Sequence, residues 1–131
     1  MPMPKILIIE DEASIRAVLK DILLDQKELK LEVDEARDGA EGLQMLEATG
    51  YDLAFCDIKM PKMDGLEVLQ KLQAHQEELP VVMISGHGTI DTAVDALKKG
   101  AFDFIEKPPN ISRILVSVRN ALDRGDLVKE T

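Results

Sequence analysis

The chain has one cysteine, no tryptophan, one tyrosine and three phenylalanines in 131 residues. The lone thiol, Cys56, excludes an intrachain disulfide, and inside an apolar run it reads as a small buried hydrophobe rather than a reactive group. Basic residues are in deficit, 16 against 25 acidic, for a net charge of −9. A surface of that sign is not expected to grip nucleic acid by itself, nor to dock on an anionic membrane. No apolar run approaches the length of a membrane span. The short one near the N-terminus is cut off by Glu10-Asp11-Glu12, so it does not read as a signal peptide, and the cytoplasm is the expected location. Internal repeats and low-complexity stretches are also missing.

Two kinds of segment alternate along the chain. Short apolar runs stand at Ile6 to Ile9, Leu31 to Val33, Leu53 to Cys56, Val81 to Ile84 and Ala101 to Ile105. Several are apolar on both faces, as parallel strands covered on both sides should be. Between them, Ile15, Val18, Leu19 and Ile22 recur at helical spacing. So do Ile90, Ala93, Val94 and Leu97, and again Ile111, Ile114, Leu115, Val118 and Leu122, each stripe expected to be a core face. Weaker versions run from Ala40 to Leu46 and from Leu66 to Leu72. Gly50 and Gly100 are expected to stop helices and Gly125 to close the last. Residues 1–124 therefore form one domain and 125–131 a polar tail, the start of a linker if more chain follows. Five β-then-α units predict an α/β fold, a parallel sheet with right-handed crossovers and helices on both faces.

Polar residues collect where strands end: Glu10-Asp11-Glu12 after the first, Asp57 after the third, Ser85 after the fourth, Glu106-Lys107 after the fifth. In open α/β sheets, ligands bind outside the carboxyl ends of the strands, beside the point where strand order reverses. If the order is 2-1-3-4-5, Glu10, Asp11 and Asp57 share one pocket with Ser85 and Lys107 beyond. Each has a plainer reading. Glu12 is better read as a helix cap, Asp11 is evenly balanced between cap and ligand, and Ser85 alone is an ordinary turn residue. Asp64 is the expected cap of the third helix, because Ile58-Lys59-Met60-Pro61 starts a helix poorly. His87 reads as a loop residue and His75 as a helix-surface one. The plainer readings do not explain why the polar groups arrive at one edge. Clustered carboxylates suit a hard cation such as Mg²⁺, one carboxylate can attack phosphorus, and a lysine can pair with phosphoryl oxygens.

Lys5-Ile-Leu-Ile-Ile-Glu-Asp-Glu12, Asp57-Ile-Lys-Met-Pro-Lys-Met-Asp-Gly65, Ile84-Ser-Gly86 and Glu106-Lys-Pro108 resemble the four signatures of two-component receiver domains. The stretches Lys98 to Pro108 and Ser85 to Thr89 are similar to receivers of the nitrogen-regulation (NtrC/NtrX-like) class. The resemblance implies a flavodoxin-like, doubly wound fold with strand order 2-1-3-4-5. It implies that Asp57 is the phosphoacceptor, and that Glu10, Asp11, Asp57 and the backbone carbonyl of Lys59 hold Mg²⁺. Lys107 would bind the phosphoryl group, with a cis bond to Pro108, and Ser85 and Phe104 would be the switch pair. The implied donor is a sensor histidine kinase or a small acyl phosphate, and the only reaction catalysed is the protein's own phosphorylation and dephosphorylation. A surface on the fourth helix, fifth strand and fifth helix would control an output, in this class transcription. A phosphorylation-dependent homodimer and following ATPase and DNA-binding domains are the implied partners.

Three residues depart from the commoner pattern: Glu10 for aspartate, Ser85 for threonine and Phe104 for tyrosine. Two enzyme-like alternatives on related folds fit less well. A haloacid-dehalogenase-type phosphatase needs its nucleophile after strand one with an aspartate two residues on, where Glu10 and Glu12 stand. A flavin carrier needs a hydroxyl-rich loop there and aromatics to sandwich the ring. A receiver-like module that never takes phosphate is opposed by the intact acids and Lys107.

Overall fold

A computed structural model describes residues 3–58, 65–75, 78–86, 90–108 and 110–130, backbone only at 75 and 124–130. Among the described residues ten elements alternate: β1 (Lys5–Ile9), α1 (Ala13–Asp25), β2 (Glu32–Ala36), α2 (Gly39–Ala48), β3 (Leu53–Asp57), α3 (Gly65–His75), β4 (Val81–Ser85), α4 (Ile90–Lys98), β5 (Asp103–Glu106) and α5 (Ile111–Glu130). The strands form one parallel sheet in the order β2-β1-β3-β4-β5. The predicted fold class and strand order therefore hold.

Pleating sends alternate side chains to opposite faces, and each face has its own core. Leu7, Ile9, Ala54, Cys56 and Met83 pack with Leu46, Val68, Leu69, Leu72 and Ala96 of α2, α3 and α4. Ile6, Ile8, Phe55, Val82 and Ile84 pack with Leu19, Ile22 and Leu23 of α1 and Ile114, Val118 and Ala121 of α5. β1, β3 and β4 are apolar and almost wholly buried because both faces are covered, which is why they read as continuous runs. Cys56 is buried as expected.

Several boundaries differ from the sequence reading. β2 runs Glu32–Ala36 rather than starting at Leu31, with alternating exposure. It is an edge strand, so its acids face solvent while the ladder continues, and an apolar run alone marks only its start. β5 begins at Asp103, since Ala101 and Phe102 belong to the connection that enters the sheet. β3, β4 and β5 each extend far enough to include Asp57, Ser85 and Glu106, so these residues end strands rather than follow them. α5 passes through Gly125 to Glu130 instead of closing there. Glycine in a helix costs only about 1 kcal/mol relative to alanine, and it ends a helix when the backbone turns left-handed. Asp64, His87 and Gly88 lie outside the described residues.

The α4 stripe is the largest departure. Ile90, Val94 and Leu97 are 84%, 43% and 48% exposed, and the helix buries Ala96 instead. α4 seats its small face on the sheet and turns its branched side chains outward; helical spacing reveals an apolar face without revealing what covers it. Val18 of α1 and Ile111 of α5 are likewise exposed.

Gly100 ends α4 as expected, with φ +104°, where a Cβ would stand 2.1 Å from the Gln73 side-chain nitrogen of α3. Gly100→Ala should therefore cost about 1–3 kcal/mol, read as a lower urea midpoint by circular dichroism. An unchanged midpoint would mean that the turn relaxes freely.

Candidate functional site

The carboxyl ends of β1, β3 and β5 meet at one edge of the sheet. Glu10 leaves β1 with its backbone still tied to β2, its N–H donating to the Ala36 carbonyl at 3.1 Å. Asp57 is the last residue of β3, 4% exposed, and Glu10 is 1% exposed. Lys107 follows β5, and its N–H donates to the Ser85 carbonyl at 2.9 Å. Parallel pairing of Ser85 with Glu106 fixes that register.

The lysine links three strand ends. Its Nζ lies 2.7 Å from Glu10 Oε1, 3.3 Å from Asp57 Oδ2 and 3.4 Å from Glu12 Oε1. Glu10, Asp11, Glu12 and Asp57 each bring an oxygen within 4.8 Å of the others. Glu12 occupies the N-cap position of α1, but its side chain makes no capping bond. The cap reading of Glu12 thus holds for its position and not for its side chain, whose carboxylate joins the acid cluster and lies 3.4 Å from Lys107 Nζ. Asp11 is not the cap either.

Electrostatics follow from the crowding. Burial, then hydrogen bonding to Asp57, pushes Glu10 from its ordinary 4.5 up to about 8 against the opposing pull of Lys107. Lys107 is itself raised to about 12: burial opposes its charge, but the Glu10 and Asp57 carboxylates outweigh that. Burial and crowding therefore favour the protonated form of Glu10, and the two carboxylates favour the charged form of Lys107. Asp11 Oδ1 is buried without a hydrogen-bond partner. An unmet acceptor beside three more carboxylates is the donor set that a hard divalent cation takes. Lys59 and its carbonyl lie outside the described residues.

Gly65, the first residue of α3, closes over Asp57. Its N–H donates to the Ile58 carbonyl at 2.7 Å, and a Cβ there would fall 2.1 Å from the Asp57 carbonyl oxygen. Only glycine fits that approach. Ser85 is 2% exposed at the end of β4, and Phe104 lies half-buried on the face packed by α2, α3 and α4. The structure thus brings Glu10, Asp11, Asp57, Ser85 and Lys107 to one edge, with Phe104 further down β5. The Lys107–Pro108 peptide is cis. Sequence reasoning missed Arg16, whose Nη1 donates to the carbonyls of Glu10 at 2.8 Å and Asp11 at 3.4 Å. Its only signal was a basic residue one turn into a helix that follows three acids.

Glu10 also sets a pH dependence. Its folded value lies above its unfolded one, so the native state holds the extra proton between the two. The associated stability is full below about 4.5 and is lost as pH rises through about 8. In EDTA, urea midpoints of wild type should fall across that interval, and those of Glu10→Gln should fall less. Equal slopes would remove Glu10 as the titrating group.

The comparisons follow the same residues. The model of the response regulator receiver domain matches residues 6–119. The nitrogen assimilation regulatory protein NtrX of Azorhizobium caulinodans is 42% identical over 127 residues, 95% of this chain and 27% of that protein. The crystal structure of NtrX from Brucella abortus superposes with a TM-score of 0.90 at 38% identity, covering 98% of this chain and 29% of that one. A CheY-like receiver domain protein from Methanospirillum hungatei gives 0.88 at 32% identity, covering 99% of this chain and 100% of that one. This chain therefore spans little more than a quarter of the curated regulator it matches, and that quarter belongs to the response regulator receiver domain family, the signalling switches of two-component systems.

Proposed function

We propose that the site takes a phosphoryl group on Asp57, supported above all by one observation: a buried strand-end carboxylate 3.3 Å from a lysine whose side chain is 12% exposed, inside a four-acid cluster. An Asp57 carboxylate oxygen attacks phosphorus in line. The bond to the donor, a kinase phosphohistidine or a small acyl phosphate, breaks, and the donor leaves with its electron pair. The product is an acyl phosphate on Asp57. Lys107 pairs with the phosphoryl oxygens, and its raised pKa keeps it cationic at any physiological pH. Ser85 supplies a hydroxyl donor at the adjacent strand end. Glu10, Asp11 and Asp57, with the Lys59 carbonyl, are the ligands proposed for Mg²⁺, which supplies charge neutralisation on the transferring group.

The readout is placed on α4, β5 and α5. Drawing Ser85 toward the phosphoryl group opens room on the face where Phe104 packs. Ile90, Val94 and Leu97 already stand outward on α4. Burying one such side chain fully is worth about 1.5–3 kcal/mol, enough for a modest change in α4 to alter partner affinity. A second copy and a transcriptional output region are the partners proposed; the regulators NtrX and PilR, to which the chain is similar, are longer than this chain. Residues 1–124 are proposed as the phosphoacceptor unit and 125–131 as the approach to that output.

Acetyl phosphate with Mg²⁺ should add one phosphoryl group, lost on chelation and absent from Asp57→Asn. Label that persists in Asp57→Asn, or maps to Ser85, overturns the reading. Mg²⁺ should raise the melting temperature of wild type more than that of Asp57→Asn, because the native cluster binds the ion and the variant has lost one charged ligand. Equal gains would place Asp57 outside the metal site.

A further inference from the structure

We infer that Arg16, braced by Glu35, is a positioning residue that sets the orientation of the Glu10–Asp11 acid loop for its cation; this rests on the metal reading above. The side chain of Arg16 is 14% exposed, and it reaches back from the first turn of α1 under the loop. Its Nη1 donates to the Glu10 carbonyl at 2.8 Å and the Asp11 carbonyl at 3.4 Å. Its Nε faces Glu35 Oε1 of β2 at 3.6 Å, and Lys20, one turn along α1, holds the other Glu35 oxygen at 3.4 Å.

The geometry separates two jobs. A carbonyl fixes its peptide plane, and the planes on either side of Asp11 decide where the Glu10 and Asp11 carboxylates point. Arginine can hold two carbonyls and a carboxylate at once because its donors are spread over a rigid plane, which a lysine ammonium cannot imitate. A cation beside a cation site would also repel the ion, and Glu35 cancels that charge while leaving the donors in place. β2, which contributes no residue to the acid cluster, thus braces the loop twice: through Glu35 and through the Ala36 carbonyl that accepts the Glu10 N–H.

The test follows Mg²⁺ binding by NMR titration on the whole chain, with acetyl-phosphate labelling rates measured against Mg²⁺ concentration in parallel. Supporting partners of a metal site typically carry about 10–100-fold in affinity. Arg16→Lys should weaken Mg²⁺ binding by about tenfold, while the labelling rate at saturating Mg²⁺ recovers toward wild type. Lys20→Gln, which touches the same Glu35 without reaching the loop, should leave Mg²⁺ affinity unchanged. Glu35→Gln should weaken binding at low salt and recover at high salt, where the uncovered Arg16 charge is screened. Urea midpoints report folding separately. Unchanged affinity in Arg16→Lys overturns the positioning role, as does equal loss in Lys20→Gln, which would mark a general effect of the ion pairs. Wild type that neither binds Mg²⁺ nor labels overturns the functional reading itself, a result distinct from either.

Discussion

One lysine holds the site in register. Four carboxylates at the end of a sheet repel one another, and among the described residues Lys107 is a cation that reaches Glu10, Glu12 and Asp57 together. To get there its stem passes over the end of β4, where Gly86 offers only ordinary contact, 3.5 Å from its Cδ to where a Cβ would stand. The strand order makes that reach possible. β1 and β3 are neighbours, β4 separates β3 from β5, and β5 delivers the lysine one residue past its pairing with Ser85. An error of one residue in β5 would turn the side chain to the opposite face. Register in a buried parallel sheet is therefore a requirement of the site as well as of the core.

The lysine does not neutralise the cluster completely. Burial makes ionisation of Glu10 costly, and the neighbouring Asp57 and Asp11 carboxylates raise its pKa further. A cation held among these oxygens would compete with Lys107 for the same carboxylates, and the lysine would then be freer to pair with an anion beside Asp57.

Much of this was legible in the sequence because its signals were local. Ile6 to Ile9, Leu53 to Cys56 and Val81 to Ile84 show strands buried on two faces, and the acids and lysine stand at their ends. The alternation of elements and the receiver-like signatures carried the strand order. What was not legible depended on long-range neighbours. The stripe of α4 pointed outward because Ala96, not Val94 or Leu97, faces the sheet. β2 lost its signal because an edge strand shows acids to solvent. Glu12 fits a cap by position, yet a lysine 95 residues away holds its side chain. Arg16 gave only a faint sign, a basic residue one turn past three acids, since its partners are two backbone carbonyls and an acid on β2.

The same reasoning explains why the response is placed on α4 rather than on α1 or α2. α1 is fastened at three levels: Leu19, Ile22 and Leu23 in the core, Arg16 on the acid loop, and Lys20 on β2. α2 is capped by Asp38, which accepts the Glu41 N–H at 2.8 Å, and it seats Leu46 in the core. α4 has one fully buried residue, a small one, and ends in a left-handed glycine held against Gln73. An element with few buried apolar contacts opens at low free-energy cost. α5 begins in a fixed frame, because Arg113 grips both Asp103 oxygens at 2.7 Å and the Phe104 carbonyl at 3.1 Å. In the switch proposed above, these bonds would hold the β5 backbone while the Phe104 side chain moves. α4, with its one small buried residue and its apolar side chains facing outward, would be the helix on that face that yields most easily.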